Sequence, residues 1–296
     1  MDWDFLVSLI VRGLLLGSVY GLVALGFVLV YKATSALNFA QGEWVMLAGF
    51  LAVAFYTIYG FPLWAAIVIT LVIMIALGFA VERAILRPMI GRPVLGMIMA
   101  TLGMGIFLRG YVPVQWGVQT RSLDLGVPDE PYDIAGVSIP PIQVVGAIVA
   151  LAMFILFGYL FQRTRMGLAL RAVADDQQAA MAMGVRVTTV FAIAWAMSGI
   201  AAVAGGLVWG DMLGVDQYLS LLGLKVFPVI ILGGIESILG ALVGGLIVGM
   251  TENLAAGYFD PYVGGGLKDF VPFVLMLFVL MVRPSGLFGR EHIERV

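Results

Sequence analysis

Long apolar stretches recur from one end of this chain to the other, at 5–31, 44–59, 62–81, 94–111, 142–161, 190–209, 219–233, 237–255 and 270–282. About 20 consecutive apolar residues carry an α-helix across a bilayer. Backbone amides in hydrocarbon find no water, so a crossing segment must satisfy its own hydrogen bonds. The pattern predicts an all-α polytopic membrane protein with eight or nine crossings, a single transmembrane domain over 1–296 with no soluble domain attached. Several stretches are short, which points to broken helices.

Composition agrees with that solvent. Hydrophobic residues make up 62% and charged residues 11% of the chain, against about 25% charged in soluble domains. A soluble globule could not hide so much apolar surface. Cysteine is absent and the one histidine is His292. That excludes a disulfide framework, a Cys nucleophile and a His-based triad or metal cluster within the chain, so no metal site, catalytic site or cofactor is expected. A net charge of −2 offers no footprint for nucleic acid. The start, Met1-Asp2-Trp3-Asp4, lacks the basic lead of a signal peptide. No G-x-x-x-x-G-K-[ST] motif occurs, so the chain is not expected to hydrolyse ATP through a P-loop.

Arginine sets the expected orientation. Arg83, Arg87 and Arg92 share one loop, Arg163, Arg165, Arg171 and Arg186 a second, and Arg283, Arg290 and Arg295 lie near the C-terminus. By the positive-inside rule these loops and the C-terminus face the cytoplasm. Nine crossings put the N-terminus outside. The opposite loops hold Asp124, Asp129, Glu130, Asp133, Asp211, Asp216, Asp260 and Asp269. Residues 115–141, rich in Pro, Gly and Asp, read as an extracytoplasmic loop with turns.

Two polar, broken places interrupt the apolar pattern. The first runs from Tyr31 through Asn38, Gln41 and Glu43; the second carries Lys225 and Pro228 and ends at Gly233-Gly234-Ile235-Glu236-Ser237. Paired interruptions in two related halves mark a translocation pathway, because irregular backbone at membrane depth needs protein or a wet cavity around it. Two ordinary turns with Glu at helix N-termini would give the same pattern. Lys225 and Glu252 are charges inside apolar spans, and read as a pair or as cavity lining. Arg12 and Arg109 lie near span ends and read as snorkelling. The pathway set is therefore Asn38, Gln41, Glu43, Lys225, Glu236, Ser237 and Glu252.

The long basic loop holds a third feature. Over 175–184, Asp175 or Asp176 can cap a short helix rich in Gln, Ala and Met, with Gly184 as its stop. Its small Ala residues suit docking in a partner's groove, and a solvated connector fits the same residues. Glycines four apart, at Gly13, Gly17 and Gly21, at Gly240 and Gly244, and at Gly245 and Gly249, read as close helix packing inside the subunit rather than as a subunit interface.

Several motifs together resemble the LivH-like permease subunits of branched-chain amino acid ABC importers. Gly21-Leu22-Val23-Ala24-Leu25-Gly26 with Leu37-Asn38-Phe39-Ala40-Gln41-Gly42-Glu43 resembles the family's "ALG…NFAHGE", with Gln41 in place of His. Glu82-Arg83 with Arg87-Pro88, Arg163-Thr164-Arg165-Met166-Gly167 with Arg171-Ala172, and Arg283-Pro284-Ser285-Gly286-Leu287-Phe288-Gly289 resemble its loops. Leu232-Gly233-Gly234-Ile235-Glu236-Ser237-Ile238-Leu239-Gly240-Ala241 is similar to "LGGIGSIPGA", departing at Glu236 and Leu239. Gln178-Ala179-Ala180 with Gly184 resembles the "EAA…G" coupling loop of ABC permeases.

The resemblance implies an importer permease in the bacterial cytoplasmic membrane. It also implies partners: a second related permease, two cytoplasmic ATPase subunits, an extracytoplasmic solute-binding protein and the lipid bilayer. ATPase coupling falls to Arg171, Asp175, Asp176, Ala179, Ala180 and Gly184. Branched-chain or other hydrophobic amino acids are the expected solute, with urea, short amides or aromatic acids as alternatives. Two other classes compete. A stand-alone ion-coupled transporter would use Glu252, whereas a membrane-embedded enzyme finds no constellation in the chain.

Overall fold

The computed structural model describes residues 3–134 and 136–289. Within them the chain is all-α and polytopic, with seven helices long and apolar enough to cross a membrane. The order is α1 (Trp3–Thr34), α2 (Gln41–Val53), α3 (Leu63–Val81) and α4 (Val94–Trp116), then a small hairpin of β1 (Tyr132–Ile134) and β2 (Val137–Ile139). There follow α5 (Pro141–Arg163), α6 (Arg165–Asp175), α7 (Gln177–Ala182), α8 (Val187–Leu213), α9 (Leu222–Lys225), α10 (Phe227–Gly233), α11 (Ile238–Val263) and α12 (Leu267–Val282).

Local chemistry explains the boundaries. Pro62, Pro93 and Pro140 stand at the starts of α3, α4 and α5, where a missing N–H costs nothing. Thr164, Asp176 and Ser237 cap α6, α7 and α11 by accepting from backbone N–H groups. The apolar stretch 219–233 is no straight helix. A 3₁₀ turn, Gln217–Leu221, leads into α9, and Pro228, which has no N–H, interrupts the hydrogen-bond ladder at Val226 between α9 and α10 while the chain stays helical there.

The centre is a seam between α1 and α11. A Cβ on Gly17 would collide with the Gly245 backbone, and one on Gly249 with the backbones of Gly13 and Gly17. Only glycine lets two helix backbones come this close, and dispersion at that distance holds helices together in lipid. The glycine stripes thus pack within one subunit. α8 lies against α1, α2 and α3, and is likewise largely buried.

Helix direction gathers the arginines. Lys32, near the end of α1, donates to the Glu236 carbonyl at the start of α11 (3.2 Å), and α6 packs on α1. Arg83, Arg87, Arg163, Arg165, Arg171, Arg186 and Arg283 therefore share one end of the bundle. Arg290, Arg295 and His292 lie outside the described residues. At the opposite end the 115–141 loop is tied down. Leu125 N–H donates to Asp211 (2.9 Å), Thr120 to Asp216 (3.0 Å), and Arg121 pairs by backbone with Val215.

Candidate functional site

The first break is a buried polar knot. α1 ends at Thr34 and α2 begins only at Gln41, leaving backbone groups that must find partners inside the protein. Asn38 supplies them: its Oδ1 accepts from Ala40 N–H (3.1 Å) and its Nδ2 donates to Gln41 Oε1 (3.1 Å). Gln41 Oε1 also accepts from Ser198 of α8 (2.6 Å). Thr101 of α4 accepts from Phe39 N–H (3.3 Å). Asn38 and Gln41 are fully buried, so both brace the break rather than face an open passage. Gln41 Nε2 lies over Gly26 without a hydrogen-bond partner among the described residues. Where the family motif has His, this position is an interior packing site.

Glu43 sits one step further along α2, and its carboxylate rests against Gly105 of α4, where a side chain would crowd it. It pairs with Arg109. To the snorkelling expected for Arg109 the structure adds a partner: a buried carboxylate holds one side of the guanidinium, and the other half of the side chain is open. Charge in a low-dielectric interior needs a partner more than it needs the interface. Arg12 donates to the Ser138 carbonyl of β2 (2.6 Å).

The structure joins this knot to the second broken segment. Gly42 lies against the Ser220 carbonyl and Gly223, and Phe39 stacks on Phe227 with ring centroids 5.2 Å apart. The second-half neighbour of Asn38, Gln41 and Glu43 is thus the stretch 220–227. Glu236 and Ser237 lie elsewhere. They line a cavity of about 640 Å³ at the arginine-rich end with Tyr31, Lys32, Arg171 and Asp175. Residues read from sequence as pathway and as coupling elements meet there. Ser237 itself caps α11 by accepting from Gly240 N–H (2.9 Å).

Lys225 and Glu252 form a pair at 3.2 Å, with Glu252 buried and Lys225 half-buried. Lys225 also reaches the exposed Asp269 of α12 (3.0 Å), and the Tyr20 hydroxyl donates to Glu252 (3.1 Å). One ammonium group thus ties the break at Val226 to α11 and α12. Among the described residues, no group of three or more His, Cys, Asp or Glu could hold a metal ion.

The short loop helix differs from its expected outline. Two helices stand there, with Asp175 ending α6 and Asp176 capping α7 through Gln178 and Ala179 N–H (2.8 and 3.0 Å). Gly184 closes the turn at φ +84°. Ala180 is buried inside this chain, so it does not offer itself to a groove. Ala179 faces outward, as do Met181 and Met183. Arg171 donates to the Phe161 carbonyl, which fixes α6 to the end of α5.

Sequence reasoning missed Arg109, Ser198, Thr101 and Tyr20. Tyr20 and Ser198 carried no signal, being ordinary residues in apolar spans. Arg109 did carry one. A cation and an acid in two different spans, with only sixteen basic residues in the chain, invite pairing.

Comparison with known proteins agrees with this architecture. The family model described as "Branched-chain amino acid transport system / permease component" matches residues 9–280. The chain is 33% identical over 303 aligned positions to the high-affinity branched-chain amino acid transport system permease protein LivH of Escherichia coli (strain K12), covering 96% of each. It is 32% identical to the corresponding permease protein BraD of Pseudomonas aeruginosa, covering 97% of each. In fold it resembles a chain of PsaBC from Streptococcus pneumoniae in complex with Fab, at 15% identity and a TM-score of 0.50 over 93% of this chain and 91% of that one. The chain belongs to the branched-chain amino acid transport system permease family.

Proposed function

We propose that the protein is the membrane-spanning permease subunit of an ATP-binding-cassette importer, moving branched-chain or other hydrophobic amino acids into the cytoplasm. It works in the bacterial cytoplasmic membrane with its arginine-rich end and C-terminus inside. A second related permease, two ATPase subunits and a solute-binding protein complete the machine. The observation that carries this reading is the full-length relation to branched-chain amino acid permeases. The chain itself is a conduit and not an enzyme.

The geometry supports the division of labour. α7 is short, capped at both ends and packed on α8, and it projects outward Ala179, Met181 and Met183. A stiff element passes on a motor's displacement, where a loose loop would absorb it. A stand-alone ion-coupled carrier would use Glu252, one of whose oxygens is already held by Lys225 and Tyr20, and the full-length relation to importer permeases favours the first reading.

Co-expression with the candidate ATPases and reconstitution in liposomes test the reading. The complex is expected to import leucine with ATP and binding protein present, and the chain alone to show no ATP turnover. Turnover by the pure single subunit, or uptake by it on an ion gradient alone, overturns it.

A further inference from the structure

The face of α4 turned away from the bundle alternates large apolar residues with glycine. Met99, Gly103, Ile106 and Gly110 follow one another along it, with Met99 and Ile106 strongly exposed. Arg109 lies on the flank of that face, and 47% of its side chain is open while its partner Glu43 is 5% exposed. At 1.5 Å per residue, Arg109 stands about 22 Å from the Val94 end of α4 and about 10 Å from the Trp116 end. Glu43 holds one side of that guanidinium, and hydrocarbon is a costly neighbour for its open half.

A second, independent feature adjoins the same place. The 3₁₀ turn Gln217–Leu221 packs on both α4 and α2, and beside it α9 is a single turn ending at the break. Tyr218, Leu221 and Leu224 of this irregular segment are exposed. Broken backbone at membrane depth is tolerated beside protein or water and not against acyl chains. A half-open charge on α4 and an irregular, partly exposed segment packed on α4 thus call for the same neighbour.

We infer that this surface of α4 and the broken segment lines the solute's route, and that the open side of the Arg109 guanidinium receives the solute's carboxylate. The inference rests on the importer reading and adds to it the group that recognises an amino acid in transit. Glu43 takes part of the guanidinium's hydrogen-bonding fork and keeps it from collapsing onto the bundle. Nearly half of the Arg109 side chain stays open, and a guanidinium fork suits a planar carboxylate. Gly103 and Gly110 leave room beside them, since a Cβ at either position meets nothing within 4 Å. The apolar side chains of Met99, Ile106 and Leu221 offer contact to a hydrophobic solute side chain.

The natural absence of cysteine makes the test direct. Gly103→Cys, Ile106→Cys and Gly110→Cys are introduced singly into the complete importer in membranes, with Val68→Cys on the exposed face of α3 as the lipid-side control. A charged, membrane-impermeant thiosulfonate is expected to label the three α4 positions at least about tenfold faster than the control, because thiolate forms only where water reaches it. Leucine with binding protein and ATP is expected to slow that labelling, and the Glu43→Gln/Arg109→Gln pair, which keeps polar contacts but removes both charges, to abolish the protection. Labelling of the α4 positions no faster than Val68→Cys overturns the inference, whether lipid or a partner subunit covers the face. Unchanged protection in the double variant overturns the role given to Arg109. Either result leaves the importer reading standing if leucine uptake by the complex persists, and only loss of ATP-driven uptake by the unsubstituted complex removes it.

Discussion

α1 and α4 are both apolar helices with spaced glycines, yet they occupy opposite situations. In α1, 83% of the most apolar window is buried; in α4 the share is 28%. Three of the four glycines of α1 recur every four residues, at 13, 17 and 21, and meet a matching stripe on α11, so backbone touches backbone. Of the four glycines of α4, Gly105 packs against Glu43, whereas Gly96, Gly103 and Gly110 recur every seven residues and the last two meet nothing among the described residues. A glycine stripe therefore does not say by itself what it packs on. In α1 it builds the subunit, whereas in α4 it leaves a smooth open surface beside a charged group.

The sharpest way to break the comparison is to add bulk to each stripe. Gly17→Leu forces a side chain into the Gly245 backbone, a strain at or beyond the upper end of the about 1–3 kcal/mol typical of overpacking. Little folded protein should survive detergent extraction and size-exclusion chromatography. Gly103→Leu should extract and elute like the parent. Equal loss in both would mean that α4's face is also packed.

The next largest effect concerns the charge between them. Arg109→Leu leaves Glu43 buried and unpaired, a loss below the about 3–5 kcal/mol of a fully buried pair because nearly half of the Arg109 side chain is open. Thermal unfolding in nanodiscs should show a clear drop, and Glu43→Gln/Arg109→Gln should recover most of it. If the single variant is as stable as the parent, the pair contributes nothing to holding α2 on α4.

At the arginine-rich end the expected effects move from stability to coupling. Ala179→Trp adds bulk on the outward side of α7 and should reduce ATPase co-purification and leucine uptake while the subunit stays folded. Ala180→Trp points into the subunit and should lower thermal stability first. The reverse order would mean that α7 docks with its other face. Smallest is the cap: Asp176→Ala removes acceptors for Gln178 and Ala179 N–H and should cost about 1 kcal/mol. Thermal melts resolve that difference.

Much of this was legible in the order of residues. Apolar runs of spanning length dictated helices, because no other open backbone is stable in lipid. The polar interruption at Asn38, Gln41 and Glu43 marked a real break, and so did Lys225 beside Pro228. Asp176 and Gly184 bounded a short helix as capping chemistry requires. Other features were legible only as residue types. Ala179 and Ala180 are identical in sequence terms, and one is exposed and the other buried because α7 packs one side on α6 and α8.

Hydropathy and glycine spacing act along one helix, and they settle that the chain spans and where it bends. Pairing acts between helices far apart in the chain, and so the partners of its charges and of its glycines came only with the fold. Glu43 could have met water, lipid headgroups or any of three lysines and thirteen arginines. It meets Arg109 because α2 starts beside Gly105, where the missing side chain leaves space for a carboxylate. Gly42, one residue earlier, lets the broken segment lie against that same start of α2. Such contacts depend on backbones approaching within a few ångströms, and no local pattern encodes which two backbones those will be.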